Sequence, residues 1–207
     1  MQIQSILLFS LIIYIVLMFA VSIYAQKNVT TEEDFIVAGR RLPLWMAAAT
    51  LLATWFGAGP ILTVSTEVAH HGVHKAALDP LGAGLCLLIA GCFFARKLWE
   101  MEILTVSDFF RIRFGRQSEV LSAFIMVPSY VGWVAVQFVA LAGVLNCFFD
   151  IPIVPAITVI ALVGMIYTAI GGMWSVTLTD TIQISSVILG LIVLTIQVFL
   201  LIGSGDF

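Results

Sequence analysis

Long apolar runs alternate with short polar connectors along the whole chain. A helix that crosses a bilayer needs about 20 mainly apolar residues, because the hydrocarbon core is about 30 Å thick. Ile3 to Ala25 is the first such run, and it is uncharged. Pro43 to Thr66 is a second uncharged run, interrupted by Gly57, Gly59 and Pro60. A third extends from Ala76 to Ala95 and carries Asp79 and Pro80 at its entrance. Val120 to Phe149 is longer than one crossing requires, which predicts tilting or a kink at Pro128. Ile151 to Thr179 and Thr181 to Gly205 complete a set of six spans. The pattern predicts an all-α polytopic membrane protein. A signal peptide is the alternative for the first run, but no Lys or Arg precedes it and it exceeds a typical signal core.

Composition agrees with this pattern. The chain is 61% hydrophobic and 10% charged, whereas soluble domains run near half apolar and about a quarter charged. Soluble enzymes are excluded, and a net charge of -3 excludes a nucleic-acid reader. Cys86, Cys92 and Cys147 lie in apolar runs and read as small hydrophobes. The basic residues set an orientation. Eight of the nine (Lys27, Arg40, Arg41, Arg96, Lys97, Arg111, Arg113 and Arg116) face the cytoplasm if the N-terminus is outside, and only Lys75 does in the opposite orientation. The positive-inside rule therefore predicts a multi-pass protein of the cytoplasmic (inner) membrane with its N-terminus outside. Glu100 to Gln117 mixes charges with Ile103, Leu104, Phe109, Phe110 and Phe114, and reads as an amphipathic segment on the cytoplasmic membrane surface.

Candidate chemistry centres on the second span, where residues 53–60 read Ala-Thr-Trp-Phe-Gly-Ala-Gly-Pro. Proline removes a backbone donor and glycine resists helical order. Broken backbone inside a bilayer is tolerated where it is buried or lines a cavity, and unwound carbonyls hold sodium in transporters. A packing kink between close helices is the competing reading. Trp55 stands in the break, away from the interfacial belt that indoles prefer, and an indole facing a cavity attracts an organic cation. Tyr130, Trp133 and Gln137 share a face of the fourth span at i, i+3 and i+7. That face offers further rings and a polar handle; lipid-facing packing accounts for the aromatics but not for Gln137. Glu67, Asp79 and Asp180 are costly near hydrocarbon, which makes a functional or paired role their default. Asp180 is expected to open the sixth span, beside a polar stripe of Thr179, Gln183 and Ser186, where helix-dipole capping is the structural alternative. His70 and His74 have i,i+4 spacing without carboxylate support, which argues against a metal site.

Several stretches resemble the sodium:solute symporter family. They are residues 34–43, Asp-Phe-Ile-Val-Ala-Gly-Arg-Arg-Leu-Pro; residues 93–96 with 105–110 and Phe114-Gly115; and residues 167–176, Tyr-Thr-Ala-Ile-Gly-Gly-Met-Trp-Ser-Val, followed by Thr179-Asp180 and Gln183. The similarity covers essentially the whole chain in one register. Within the family, Ala53-Thr54-Trp55 with its glycine-rich break and Glu67 resemble the choline-transporter branch. The resemblance implies a LeuT-like fold of two inverted five-helix repeats behind an extra N-terminal helix. Residues 1–25 would be that extra helix and residues 43–205 the first repeat. The second repeat would be absent from this chain and supplied by a missing C-terminal half. The resemblance also implies a sodium site at the backbone carbonyls of Ala53 and Phe56, and a cytoplasmic sodium exit path past Asp180. The proline-transporter branch carries an acid where this sequence has Trp55, so that branch's acid-assisted cation binding does not carry over.

The expected activity is sodium-coupled symport of a small organic solute, with Na+ as the coupling ion and no other cofactor or enzymatic chemistry. Trp55, Gly57, Gly59, Tyr130, Trp133 and Gln137 are the expected solute-binding residues, and a choline-like quaternary ammonium compound is the expected solute. The competing readings are a symporter for proline or another small zwitterion or carboxylate, a transporter-like membrane sensor, and an inactive truncated remnant. The expected partners are the solute, sodium and the lipid bilayer, with no nucleic acid.

Overall fold

The computed structural model describes residues 2–57, 64–76 and 78–204. All regular structure there is helical: α1 (Gln2–Gln26), α2 (Glu32–Val37), a 3-10 turn at Ala38–Arg40, α3 (Leu44–Trp55), α4 (Ser65–His71), α5 (Val73–Ala76), α6 (Leu78–Ala90), a π-helical turn at Gly91–Ala95, α7 (Arg96–Glu100), α8 (Val106–Phe114), α9 (Arg116–Phe149) and α10 (Ile153–Ser204). Among the described residues, four helical stretches are long and apolar enough to cross a membrane: Gln4–Gln26, Pro80–Glu100, Arg116–Phe149 and Ile153–Leu201. A bent pair, Glu32–Arg40 with Leu44–Trp55, turns through 106° and is apolar enough to make a fifth.

Local chemistry accounts for the boundaries. α2 starts at a capping box in which Thr31 Oγ1 accepts from the Asp34 amide at 3.1 Å while Asp34 Oδ2 accepts from the Thr31 amide at 3.1 Å. Thr105 and Asp108 repeat the device at the start of α8, within the stretch expected to be amphipathic. The third span runs further than its apolar core, through the π-helical turn to Glu100, with Arg96 Nε donating to Glu100 Oε1 at 2.9 Å. α9 passes through Pro128 as one helix.

The last run departs from expectation. The pattern placed a connection at Thr179–Asp180, but those residues are helical and the interruption falls at Gly172, with φ 53° and ψ -145°. Such backbone is close to a region that essentially only glycine occupies. The polar residues around 180 stay helical because their hydroxyls donate back along the helix. Thr179 bonds the Val176 carbonyl at 2.8 Å, Thr181 the Thr177 carbonyl at 2.7 Å and Ser185 the Thr181 carbonyl at 2.7 Å. Asp180 therefore sits a full two turns inside helical backbone and does not cap a helix N-terminus.

The chain forms two compact units. One comprises Met1–Trp55 and Leu162–Phe207, the other Phe56–Ala161. In the first, the fully buried positions Ser22, Ala25, Ala38, Ser175, Thr177 and Thr179 are small or hydroxyl-bearing, and Met18, Asp34, Met46, Thr50 and Ile184 are nearly buried. In the second, Ala142 and Ala156 are the buried apolar positions among the described residues. Large apolar side chains point outward in both. Helices in lipid pack through small residues because the tails are as apolar as leucine.

Candidate functional site

α3 stops at Trp55 in the middle of an apolar stretch. The last four carbonyls of an α-helix have no intrahelical donor, and Ala53 lies in that last turn. Phe56 and Gly57 follow as a bend. Ala53 and Phe56 thus stand at and just beyond a helix end, the kind of backbone on which an ion can be held by main-chain oxygens. Within α3 the Thr54 hydroxyl is occupied, donating to the Thr50 carbonyl at 2.9 Å. Trp55 itself is 39% exposed. Gly59 and Pro60, also expected in the break, lie outside the described residues.

Gln137 meets this backbone. A β-carbon built at Gly57 would lie 3.0 Å from Gln137 Oε1, 3.1 Å from Nε2 and 3.3 Å from the amide carbon. The carboxamide is packed directly against the glycine, and only the missing side chain lets it approach. Of the other two residues on that face of α9, Tyr130 is 62% exposed and Trp133 52%. The structure therefore brings Gly57 and Gln137 together and leaves the two rings open.

Asp180 is partly buried on α10, and the Thr50 hydroxyl of α3 faces its carboxyl. That hydroxyl is buried and makes no hydrogen bond of normal length. Gln183 turns elsewhere: its Nε2 donates to Tyr14 Oη of α1 at 2.6 Å and contacts Met18 Sδ at 3.8 Å. Ser186 donates to the Ile182 carbonyl at 2.9 Å. The expected polar stripe is thus divided between α3, α1 and the helix itself. Glu67, in the first turn of α4, lies with its Oε2 3.0 Å from His71 Nδ1, where the carboxylate accepts from the ring N–H, and both side chains are half exposed. Asp79 falls in α6.

Sequence reasoning missed a second polar centre, in α2 and outside the four long apolar helices. Asp34 in α2 is buried, and its Oδ2 accepts from Thr30 Oγ1 at 2.8 Å, the Thr30 amide at 3.2 Å and the Thr31 amide, while Oδ1 accepts from Arg41 Nη2. The Thr30 hydroxyl first, then the Thr30 amide, the Arg41 guanidinium and Thr31, hold its carboxyl well below the usual carboxylate range. Asp108 is lowered in the same way, chiefly by the Thr105 amide. The signal was present in the Thr-x-x-Asp spacing that both helices share.

These observations define a polytopic helical membrane protein in which an apolar helix ends at Trp55 and, beyond it, the partly buried Gln137 amide packs on Gly57. The chain belongs to the sodium:solute symporter family, whose model matches residues 35–207. It is 30% identical over 195 residues to the high affinity choline transporter 1 of Homo sapiens, an alignment covering 89% of this chain and 33% of that protein. The high-affinity choline transporter 1 of Torpedo marmorata is 32% identical over 199 residues, covering 91% and 33%. The sodium/glucose cotransporter of Vibrio parahaemolyticus is 26% identical over 199 residues, covering 94% and 36%. The chain spans about a third of the length of these curated relatives.

Proposed function

We propose that this chain is the N-terminal part of a sodium-coupled symporter for a small organic solute, with a choline-like quaternary ammonium compound as substrate. The observation that carries the reading is the end of α3 at Trp55. There helix-end carbonyls would face Na+, with Trp55 between Ala53 and Phe56 in the sequence. Ala53 and Phe56 would contribute main-chain oxygens to the ion. Trp55 would present its face to the cationic nitrogen, an attraction worth up to ~2 kcal/mol where water is excluded. One ring at that strength gives only about thirtyfold in affinity, so further aromatic residues of the whole protein would complete the cage. The names of the relatives from Homo sapiens and Torpedo marmorata support a choline-like solute. Gln137, held against Gly57, would give the polar end of the solute a hydrogen-bonding partner.

In this reading the chain carries six crossings in the cytoplasmic membrane with its N-terminus outside. It supplies the extra helix and first five-helix repeat of an inverted-repeat transporter. Sodium at the break would favour the outward-open state, the solute would promote occlusion, and release would pass Asp180. The test is solute binding to the full-length protein with and without sodium, in wild type and Trp55→Leu. Choline binding that needs sodium and weakens at least tenfold in Trp55→Leu supports the reading. Equal choline binding by the two proteins rejects the cage, and tighter binding of a carboxylated analogue than of choline reassigns the substrate to a zwitterion.

A further inference from the structure

The interruption in α10 is built from three pieces of the first compact unit. Ser22 of α1, fully buried, donates through Oγ to the Tyr167 carbonyl at 2.6 Å. Ser175, also fully buried and beyond the break, reaches the same carbonyl at 3.5 Å. Residues eight apart on a straight helix are separated by about 12 Å along its axis. Both hydroxyls can meet one carbonyl only because the run turns sharply at Gly172. A β-carbon at Gly171 would lie 2.7 Å from Ser175 Cβ and 3.0 Å from the Ser22 carbonyl. One at Gly172 would lie 2.6 Å from the Phe35 ring and 2.6 Å from the Phe35 carbonyl. α1 follows this contact along one face: Tyr14, Met18 and Ser22 recur every fourth residue, and the first two hold Gln183.

We propose that Ser22 is a positioning residue: its hydroxyl, bonded to the Tyr167 carbonyl, sets the turn at Gly172 and so the placement of the helical segment that carries Asp180. The extra N-terminal helix is then a working part of ion coupling and not only an anchor. The inference rests on the proposed role of Asp180 in sodium traffic. Its physical basis is that a carbonyl inside a bilayer has no water to turn to. Without the Ser22 hydroxyl, the Tyr167 carbonyl loses the shorter of its two side-chain contacts and keeps the long one to Ser175, and the turn relaxes toward arrangements that bond it better. Asp180, two turns further on, moves with that segment relative to Thr50.

The test uses the full-length protein with Ser22→Ala and Ser22→Thr, which removes and restores the hydroxyl. In Ser22→Ala the sodium concentration for half-maximal uptake is expected to rise about tenfold, the scale of one lost buried hydrogen bond, while the maximal rate stays within about twofold. Ser22→Thr is expected to return it toward wild type. A second readout is independent of transport: spin labels at Tyr24 and Leu189, both exposed, report the distance between α1 and the segment after the turn. Ser22→Ala is expected to broaden or shift that distance, and Ser22→Thr to keep it. If wild-type protein shows no sodium-dependent uptake, the proposed function fails, and the label distances still test the turn. If Ser22→Ala does not fold, Ser22→Cys keeps the volume with a weaker donor and is expected to give an intermediate change in both readouts. Wild-type sodium dependence and wild-type distances in Ser22→Ala, or in Ser22→Cys where that replaces it, overturn the proposal.

Discussion

The carboxamide of Gln137 occupies the space that a side chain at Gly57 would need, its Oε1 3.0 Å from where that β-carbon would sit. The contact joins the backbone just past the end of α3 to a polar group on α9. A glycine at 57 and an amide at 137 are therefore one feature of the structure.

Gly57→Ala is expected to push the Gln137 amide aside, at a cost of about 1–3 kcal/mol for overpacking. In the full-length protein, solute binding measured by titration calorimetry should weaken by about tenfold. The double variant with Gln137→Ala should lose less than the sum of the two single changes, because the clash disappears with the amide. Additive losses would mean that the two positions act separately.

Gly172→Ala combines an unfavourable backbone conformation with a collision against Phe35. Strain of this kind costs about 1–3 kcal/mol before any steric term. Thermal unfolding in detergent is expected to shift to lower temperature. Phe35→Ala should recover only part of the loss, since it opens space without changing φ. Full recovery would place the whole effect in the collision.

Asp180→Asn addresses the acid on α10. Removing its charge is expected to raise the half-saturating sodium concentration of the full-length protein by about tenfold, within the usual 5- to 150-fold range of site coupling. The unfolding midpoint should change little, because the residue is partly exposed and the surrounding hydroxyls bond along the helix. An unchanged sodium response would remove Asp180 from the ion path.

The Asp34 carboxyl links stability to pH. Its folded-state pKa is depressed, so it stabilises the fold at pH above its ordinary unfolded value and loses that contribution as pH falls toward the folded value. Asp34→Asn is expected to unfold at lower temperature than wild type at pH 7. The gap should close only as the pH falls below about 4, where the unfolded carboxyl takes up its proton. A gap that closed between pH 7 and 5 would point to a different titrating group.

The orientation is checked by labelling. A single cysteine at position 113, in α8, is expected to react with an impermeant reagent only after cells are opened. The uneven placement of Lys and Arg among the connectors motivates this. Labelling from outside intact cells would reverse the topology.

The membrane class was legible from the sequence because bilayer thickness turns apolar length directly into a span. That the second apolar run is interrupted was legible for an equally local reason, since Gly57 lies just past the end of α3 at Trp55 and resists helical order. The capping boxes at Thr31 and Thr105 are equally local, each set by a threonine and an aspartate three residues on. The bend in the last run was different. Asp180 is the one charge in a long apolar stretch, which drew the expected connection to it. The Gly171–Gly172 doublet, whose pairs often mark sharp kinks, lay eight residues earlier and is where the chain turns.

What the sequence determined by itself is therefore the part set by short-range chemistry: apolar helices of spanning length, one of them stopping at a glycine-rich break, in a chain whose motifs mark its family. What only the tertiary structure decided is which polar groups meet. Ser22 bonds a carbonyl 145 positions away and Gln183 a phenol 169 positions away, and the Gln137 amide settles on Gly57 from another helix. A hydroxyl or amide in an apolar run must find a partner, and the pattern of residues shows that need. Which partner lies within about 3 Å depends on how the helices pack, and that is settled by small side chains whose spacing carries no label for the helix they will face.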